Sequence, residues 1–150
     1  MKNHVNGELR GCIGLPYPTK ALGKAVVDAA VSSATGDPRF LPMSLDEFEE
    51  VVVELTVLTP PEKMEGPPLE FPKKVKVGKH GLMVKRGMAG GLLLPQVAME
   101  NNWDSKKFLD MTCWKAGFAE GCWHFDATEV YWFEGQIFKE LTPNGKITEE

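Results

Sequence analysis

The residues with the clearest chemical potential lie in one short stretch, Leu9-Arg10-Gly11-Cys12-Ile13-Gly14. If this stretch is a strand, Arg10 and Cys12 point to one face, because strand side chains alternate. A guanidinium beside a thiol favours the thiolate, which is the nucleophilic form of cysteine. Glycines on both sides of Cys12 leave room for a ligand or for another backbone. The pattern predicts a reactive Cys12, with a buried structural cysteine as the open alternative.

A short charged loop, Asp37-Pro38-Arg39-Phe40, is the second candidate segment. Proline fixes its own φ and biases the preceding residue to an extended conformation, so the loop is expected to be rigid. We interpret Asp37 and Arg39 as substrate-binding residues near Cys12, with Phe40 anchoring the loop in the core. The alternative is a local salt bridge, a common and weakly stabilising feature of protein surfaces.

Three further polar residues complete the candidate site. Glu54 is a carboxylate within an otherwise apolar strand, for which Arg10 or Arg39 is a plausible partner, unless it faces solvent. His80 follows a glycine turn, and because a histidine can titrate near neutral pH it is the first candidate for an acid or base if Cys12 acts chemically, with an ordinary surface histidine in a turn as the more common alternative. Gln96 lies in the first turn of a helix, where its amide could hold a ligand oxygen or simply belong to the helix cap.

Four blocks of the chain, in this order, resemble the signatures of the AMME chromosomal-region protein family. They are Leu9–Gly14, Asp37–Phe40, His80–Leu82 and Gly91–Ala98, and Lys115-Ala116-Gly117 fits as well. Bacterial and archaeal members of this family form component A of the AmmeMemoRadiSam system. The resemblance therefore implies an α+β fold with two lobes and work on a small metabolite together with Memo-type and radical SAM proteins. Family members usually carry an N-terminal helix and strand before the first block, whereas eight residues precede Leu9 here.

Together these observations favour a cysteine-dependent enzyme or enzyme component that acts on a small-molecule ligand. Cys12 would be the nucleophile, with His80 or Glu54 as acid or base. The expected substrate-binding residues are Arg10, Gly11, Asp37, Arg39 and Gln96. No cofactor and no metal are expected, because Cys113, Cys122 and His124 lack the spacing of a zinc site. The alternative function is a non-catalytic interaction module with a buried Cys12.

Composition narrows the class of protein. The chain has 150 residues and a net charge of −4, which argues against a nucleic-acid or anionic-membrane binder. It has neither an apolar run near the roughly 20 residues that span a bilayer nor a signal peptide at its start, so we expect a cytoplasmic protein. An odd number of cysteines, three, suits a reducing compartment in which any disulfide would be incidental.

The expected architecture is a single α+β domain over residues 1–150, with a mainly antiparallel sheet flanked by helices and a smaller lobe over roughly 60–90. In the first half of the chain, periodicity and turn residues predict a turn at Asn6-Gly7 leading into strand Leu9–Gly14, a helix capped by Thr19 with Leu22, Val26, Ala29, Ala30 and Ser33 inside, a capping box at Ser44–Glu47 and a central strand Val51–Thr59. In the second half they predict a hairpin at Gly78–Gly81 with His80 at its tip or entrance, a helix starting at Pro95, a helix from Asp104 to Gly117, a strand Thr128–Phe138 that finishes the sheet, and fraying after Leu141. An open edge at Leu9–Ile13 would also permit a homodimer.

Overall fold

The computed structural model describes residues 1–149 and has helices packed on antiparallel strands. The strands are β1 (Lys2–Asn3), β2 (Val51–Val52), β3 (Glu54–Leu58), β4 (Glu62–Lys63), β5 (His80–Arg86), β6 (Ala89–Leu93), β7 (Glu129–Glu140) and β8 (Ile147–Glu149). The helices are α1 (Leu22–Thr35), α2 (Phe71–Lys74), α3 (Pro95–Glu100) and α4 (Ser105–Lys115), with 3₁₀ segments at Asp46–Glu49, Pro68–Glu70 and Cys122–His124. The predicted α+β class is confirmed. None of the described helices is long and apolar enough to cross a membrane.

The chain divides into two compact units. The first contains Met1–Val57 and the chain from Gln136 onward, and the second contains Leu58–Gly135. The candidate residues from Arg10 to Glu54 belong to the first unit, whereas His80 and Gln96 belong to the second.

In the first unit, the strands differ from the predicted ones. Residues 10–14 form no regular strand, and Leu9 makes only an isolated antiparallel bridge to Lys2 across the loop at Asn6-Gly7. The predicted strand Val51–Thr59 breaks at Val53 into β2 and β3. Of these, β2 pairs with β1, and β3 pairs with β7 at one end of its sheet rather than in the centre.

The C-terminal segment of this unit and the start of α1 also differ from the predictions. The chain beyond Leu141 does not fray, because a turn at residues 142–145 returns it as β8 along β7. Helix α1 starts at Leu22 without a side-chain cap. The predicted cap at Thr19 is wrong, because Ala21 occupies the N-cap position and Thr19 lies two residues before it. Leu22 is 59% exposed, so only the C-terminal part of the predicted inner face, up to Ser33, is buried.

In the second unit, β5 lies between β6 and β7 and carries α4 on one side. The largest fully buried side chains are Phe108, Leu82, Leu109, His80, Val84, Val130, Thr112 and Cys113. Each large apolar side chain buried in this way contributes about 1.5–3 kcal/mol to folding. The predicted start of α3 at Pro95, the Asp104 cap of α4 and the end of α4 before Gly117 are confirmed, and Gly117 has a positive φ.

Two predictions about this unit are wrong. The hairpin joins β5 to β6 through the two-residue loop Gly87-Met88, and residues 77–79 instead form a turn between α2 and β5. Cys113 and Cys122 form a disulfide, with their Cα atoms 5.7 Å apart. The bond could not be predicted from cysteine spacing, because the pairing depends on how the turn after α4 folds back.

Candidate functional site

Cys12 lies in an irregular segment whose backbone is held by side chains from elsewhere in the first unit. Its N–H donates to Oδ2 of Asp37 at 2.9 Å, and the next N–H, that of Ile13, donates to Oγ of Ser33 at 2.8 Å. Cys12 is a free cysteine and is exposed. The predicted open strand edge is therefore wrong, since these N–H groups are already bonded, while the thiol is accessible to a reactant.

Gly11 brings this segment against the C-terminal part of α1. A Cβ atom at this position would lie 2.0 Å from the carbonyl oxygen of Ser33, well inside the distance at which non-bonded atoms repel. Only glycine fits this approach without displacing the backbone. Gly11 was predicted to leave room for a ligand or for another backbone, and the structure shows that it is the backbone of α1. This contact fixes Cys12 relative to the helix.

Asp37 is the centre of the polar contacts around Cys12. Besides the Cys12 N–H, its carboxylate accepts the N–H of Arg39 at 3.1 Å and the Arg39 Nε and Nη2 groups at 2.9 and 2.7 Å. These hydrogen bonds, that from the Arg39 side chain above all, hold the pKa of Asp37 far below its usual range. Asp37 is 4% exposed, so it acts as a fixed anion that orients Arg39 and the Cys12 backbone.

Arg39 is the guanidinium that contacts Cys12. Its Nη2 donates to the Cys12 carbonyl at 3.2 Å while it also binds Asp37. Asp37 raises the pKa of Arg39, and the side chain of Cys12 acts in the same direction as a smaller contribution. This contact is to the backbone carbonyl of Cys12, and its cation comes from the loop after α1 and not, as alternation in a strand predicts, from Arg10.

Arg10 is bound elsewhere. Its Nε and Nη2 donate to the two carboxylate oxygens of Glu47 at 2.6 and 3.1 Å, and Nη2 also donates to the Leu41 carbonyl at 3.0 Å. The Phe40 ring links the two cations, since the guanidinium carbons of Arg10 and Arg39 lie 5.9 and 5.5 Å from its centroid. The interpretation of Phe40 as a core anchor is corrected: its ring serves the charged groups of the site.

Glu54 has a different partner from those predicted. Its carboxylate pairs with Lys2 Nζ at 3.0 Å, and neither Arg10 nor Arg39 contacts it. Glu54 also lines a cavity of about 290 Å³ within the first unit. The other lining residues are mainly apolar and come from α1, β3, β7 and β8, with Ile13 and Ser33 from the segments that hold Cys12.

His80 is buried in the second unit at 1% exposure. Its Nδ1 accepts the Lys76 N–H at 3.1 Å, and its ring meets Trp132 edge-on at 4.1 Å between centroids. Burial lowers the pKa of His80 from its ordinary value of 6.5, although the charge of Glu134 acts in the opposite direction. The lowered pKa favours the neutral imidazole. His80 is the first residue of β5 and does not lie at the tip of a hairpin.

Gln96 is the second residue of α3 and is partly buried. Its Oε1 is buried and has no hydrogen-bond partner among residues 1–149. An unpaired buried carbonyl oxygen costs free energy that a donor from a ligand would recover.

Two residues that hold the site were missed as site residues. Ser33 was assigned to the inner face of a helix, and Glu47 to a capping box. Glu47 does bind Ser44 N–H at 2.8 Å as that box requires, yet the same carboxylate also holds Arg10. The capping signal was visible in the sequence, whereas the second role depends on the fold.

The chain is similar to known proteins along most of its length. The AMMECR1 family model matches residues 1–138. The chain belongs to the AMMECR1 family. Among its relatives, a protein of Methanosarcina acetivorans is 56% identical over 144 residues, which are 96% of this chain and 72% of that protein. A protein of Pyrococcus furiosus is 54% identical over 139 residues, which are 93% of this chain and 66% of that protein.

A solved AMMECR1-type fold agrees with the structure. The crystal structure of an uncharacterised protein from Pyrococcus horikoshii matches with a TM-score of 0.89 at 52% sequence identity. The match covers 94% of this chain and 70% of that one. It supports the α+β class and the family resemblance carried by the four sequence blocks.

Proposed function

We propose that this AMMECR1-family protein is a cysteine-dependent enzyme, or enzyme component, that acts on a small metabolite at Cys12. The observation that carries the proposal is an exposed free cysteine, Cys12, whose carbonyl oxygen accepts a hydrogen bond from Arg39, while the guanidinium of Arg39 is fixed by the buried carboxylate of Asp37. A guanidinium fixed at this place can bind an anionic group of a reactant. The alternative, a non-catalytic interaction module, requires Cys12 to be a buried structural residue, which does not agree with its exposure.

The chemical step that fits this arrangement is nucleophilic substitution by the Cys12 sulfur. The thiol proton passes to water, and the sulfur donates an electron pair to an electrophilic carbon of the metabolite. A sulfur–carbon bond forms as the bond from that carbon to its leaving group breaks, and the leaving group departs with those electrons and takes up a proton. Asp37 is too strongly acidic to serve as the base, so its role is to position Arg39.

Three predicted roles are kept within the proposal. Glu54 and His80 were assigned acid or base roles, and Gln96 a substrate contact. Glu54 lines a cavity next to Ile13, and Gln96 has an unpaired buried oxygen, which support their assignments as ligand-facing groups. His80 is the weakest of the three, because its Nδ1 already accepts a backbone hydrogen bond.

The test is covalent capture at Cys12. Native protein is incubated with a mixture of small electrophilic metabolites, such as thioesters and acyl phosphates, quenched with acid and analysed by peptide mass spectrometry. We expect a mass increase on the peptide that contains Cys12, none in Cys12→Ser, and slower accumulation in Arg39→Met. Thermal melting of Cys12→Ser close to the parent protein shows that the fold is retained.

Two outcomes would count against the proposal. Unmodified Cys12 after exposure to every class of electrophile would remove the nucleophile. Equal modification in the parent protein and Arg39→Met would remove the role of the cation.

The family resemblance adds partners to the proposal, namely a Memo-type protein and a radical SAM protein. We expect a mixture of the three purified proteins to elute earlier in size-exclusion chromatography than any one alone. Separate elution of all three would limit the proposal to the isolated protein. A cytoplasmic location and a homodimer stay predictions, and the dimer no longer has an open strand edge at Leu9–Ile13 to support it.

A further inference from the structure

Arg86, the last residue of β5, lies in a polar and aromatic setting in the second unit that the proposed function does not use. Its Nε and Nη2 donate to Oγ1 of Thr128 at 3.0 and 2.6 Å, and Nη2 also reaches the Cys122 carbonyl at 3.4 Å. Its guanidinium carbon lies 4.7 Å from the centroid of the Phe118 ring and 5.6 Å from that of Phe125. The side chain is therefore held in one orientation by neutral groups.

The charge of Arg86 is not compensated within the part of the chain that the structure describes. Arg10 and Arg39 each donate from Nε and Nη2 to the two oxygens of one carboxylate, that of Glu47 and of Asp37 respectively. Arg86, by contrast, forms no ion pair with any of residues 1–149, and its hydrogen bonds end on a hydroxyl and a carbonyl. A guanidinium has five N–H donors, and the two on Nη1 have no partner among these residues.

Exposed apolar side chains lie close to this cation in space or along the chain. Phe125 is 62% exposed, and Met88 in the adjoining β5–β6 loop is fully exposed. Arg86 itself is partly exposed, as is Phe118. A ligand that places an anion on Nη1 can thus lay an apolar or aromatic group against Phe125.

We propose that Arg86, Phe118 and Phe125 form a binding site for a small organic oxyanion, either a carboxylate or a phosphate monoester that carries an apolar group. Thr128 occupies the Nε side of the guanidinium and leaves the Nη1 end for the oxyanion. Charge-assisted hydrogen bonds from arginine to carboxylate or phosphate are strong, and an oxygen of such a group can accept a hydrogen bond from a free N–H of Nη1. The Phe118 and Phe125 rings add apolar contact beside the guanidinium.

The experiment is a titration of ¹⁵N-labelled protein followed by amide NMR, with benzoate, phenyl phosphate, acetate and inorganic phosphate as probes. We expect benzoate or phenyl phosphate to shift the amides around Phe118, Phe125 and Thr128. The aryl probes should bind more tightly than acetate and inorganic phosphate, because only they can use the rings. The tighter of the two aryl probes identifies the class of anion.

Two substitutions test the residue. Arg86→Met should weaken aryl-anion binding by about tenfold or more, since it removes the charge and the donors. The matched control Lys85→Met removes one positive charge from the neighbouring exposed position and should change the affinity by less than about twofold, as expected for a screened surface charge. Arg86→Lys keeps the positive charge but lacks the planar guanidinium, so weaker binding is expected for it as well. This variant provides the test if Arg86→Met does not fold.

Absence of shifts near Arg86 with all four probes would overturn the inference. So would equal losses of affinity in Arg86→Met and Lys85→Met, which would indicate general attraction of anions. Equal binding of acetate and benzoate would remove the role of the two rings.

Discussion

Replacement of Gly11 by alanine tests the packing that holds Cys12 in place. The added Cβ would lie 2.0 Å from the Ser33 carbonyl oxygen and 2.9 Å from its carbonyl carbon. Both atoms belong to the backbone of α1, so relief requires the helix or the Cys12 segment to move. Overpacking of this kind costs about 1–3 kcal/mol, and a backbone obstacle places the cost at the upper end.

Gly14→Ala is the matched control in the same segment. No atom lies within 4 Å of the Cβ that it would introduce, and Gly14 does not have a positive φ that disfavours alanine. Such a change stabilises a protein by about 0.4–1 kcal/mol, because it reduces the freedom of the unfolded chain. The two variants should therefore differ by about 3 kcal/mol in the free energy of unfolding.

The assay is thermal and urea unfolding followed by circular dichroism. For a chain of this size, a difference of about 3 kcal/mol corresponds to roughly 6–12 °C in Tm, with Gly11→Ala the lower. We also expect the N–H of Cys12 to lose protection from hydrogen exchange in Gly11→Ala alone, since the segment must leave Asp37. Equal melting temperatures for the two variants would refute the close approach of Gly11 to α1.

Two further predictions concern other parts of the molecule. Replacement of both Cys113 and Cys122 by alanine removes a disulfide with a sequence separation of 9 residues, so chain entropy predicts that the free energy of unfolding falls by about 2.6 kcal/mol. Urea unfolding measures this loss, and an unchanged midpoint would contradict a formed disulfide. The pKa of Glu47 is lowered from 4.5 to about 2, chiefly by the hydrogen bond from Arg10, so its stabilising effect is complete above pH 4.5 and is lost as the pH falls toward 2. Acid unfolding of Glu47→Gln should therefore show a weaker dependence on pH in that range than the parent protein, and identical curves would argue against the ion pair.

The parts of the fold that could be predicted are those where local signals agree with one another. Asp104 precedes a stripe of apolar residues at helical spacing, Gly117 follows it, and α4 forms between them. The aromatic run after Thr128 became β7 within two residues of the expected bounds. In these segments capping, periodicity and a stop residue select the same structure.

The candidate site shows why the remaining contacts could not be predicted. Alternation placed Arg10 beside Cys12 only on the condition that residues 9–14 form a strand, and that condition fails. The partner of each charge is chosen by the fold: Glu47 reaches Arg10 over 37 positions, and Lys2 reaches Glu54 over 52. Spacing along the chain does not report contacts at that range, although residue types correctly suggested that each buried charge needs a partner.

The most direct test of the central claim is the rate at which iodoacetamide alkylates Cys12 at neutral pH, measured by mass spectrometry. The other two cysteines are joined in a disulfide, so incorporation of one label reports on Cys12 alone. We expect Arg39→Met to slow alkylation severalfold, because the cation that contacts Cys12 is removed, and Arg10→Met to leave the rate nearly unchanged, because its guanidinium is bound to Glu47. Alkylation at the rate of an unstructured cysteine peptide, equal in all three proteins, would contradict a reactive Cys12 supported by Arg39.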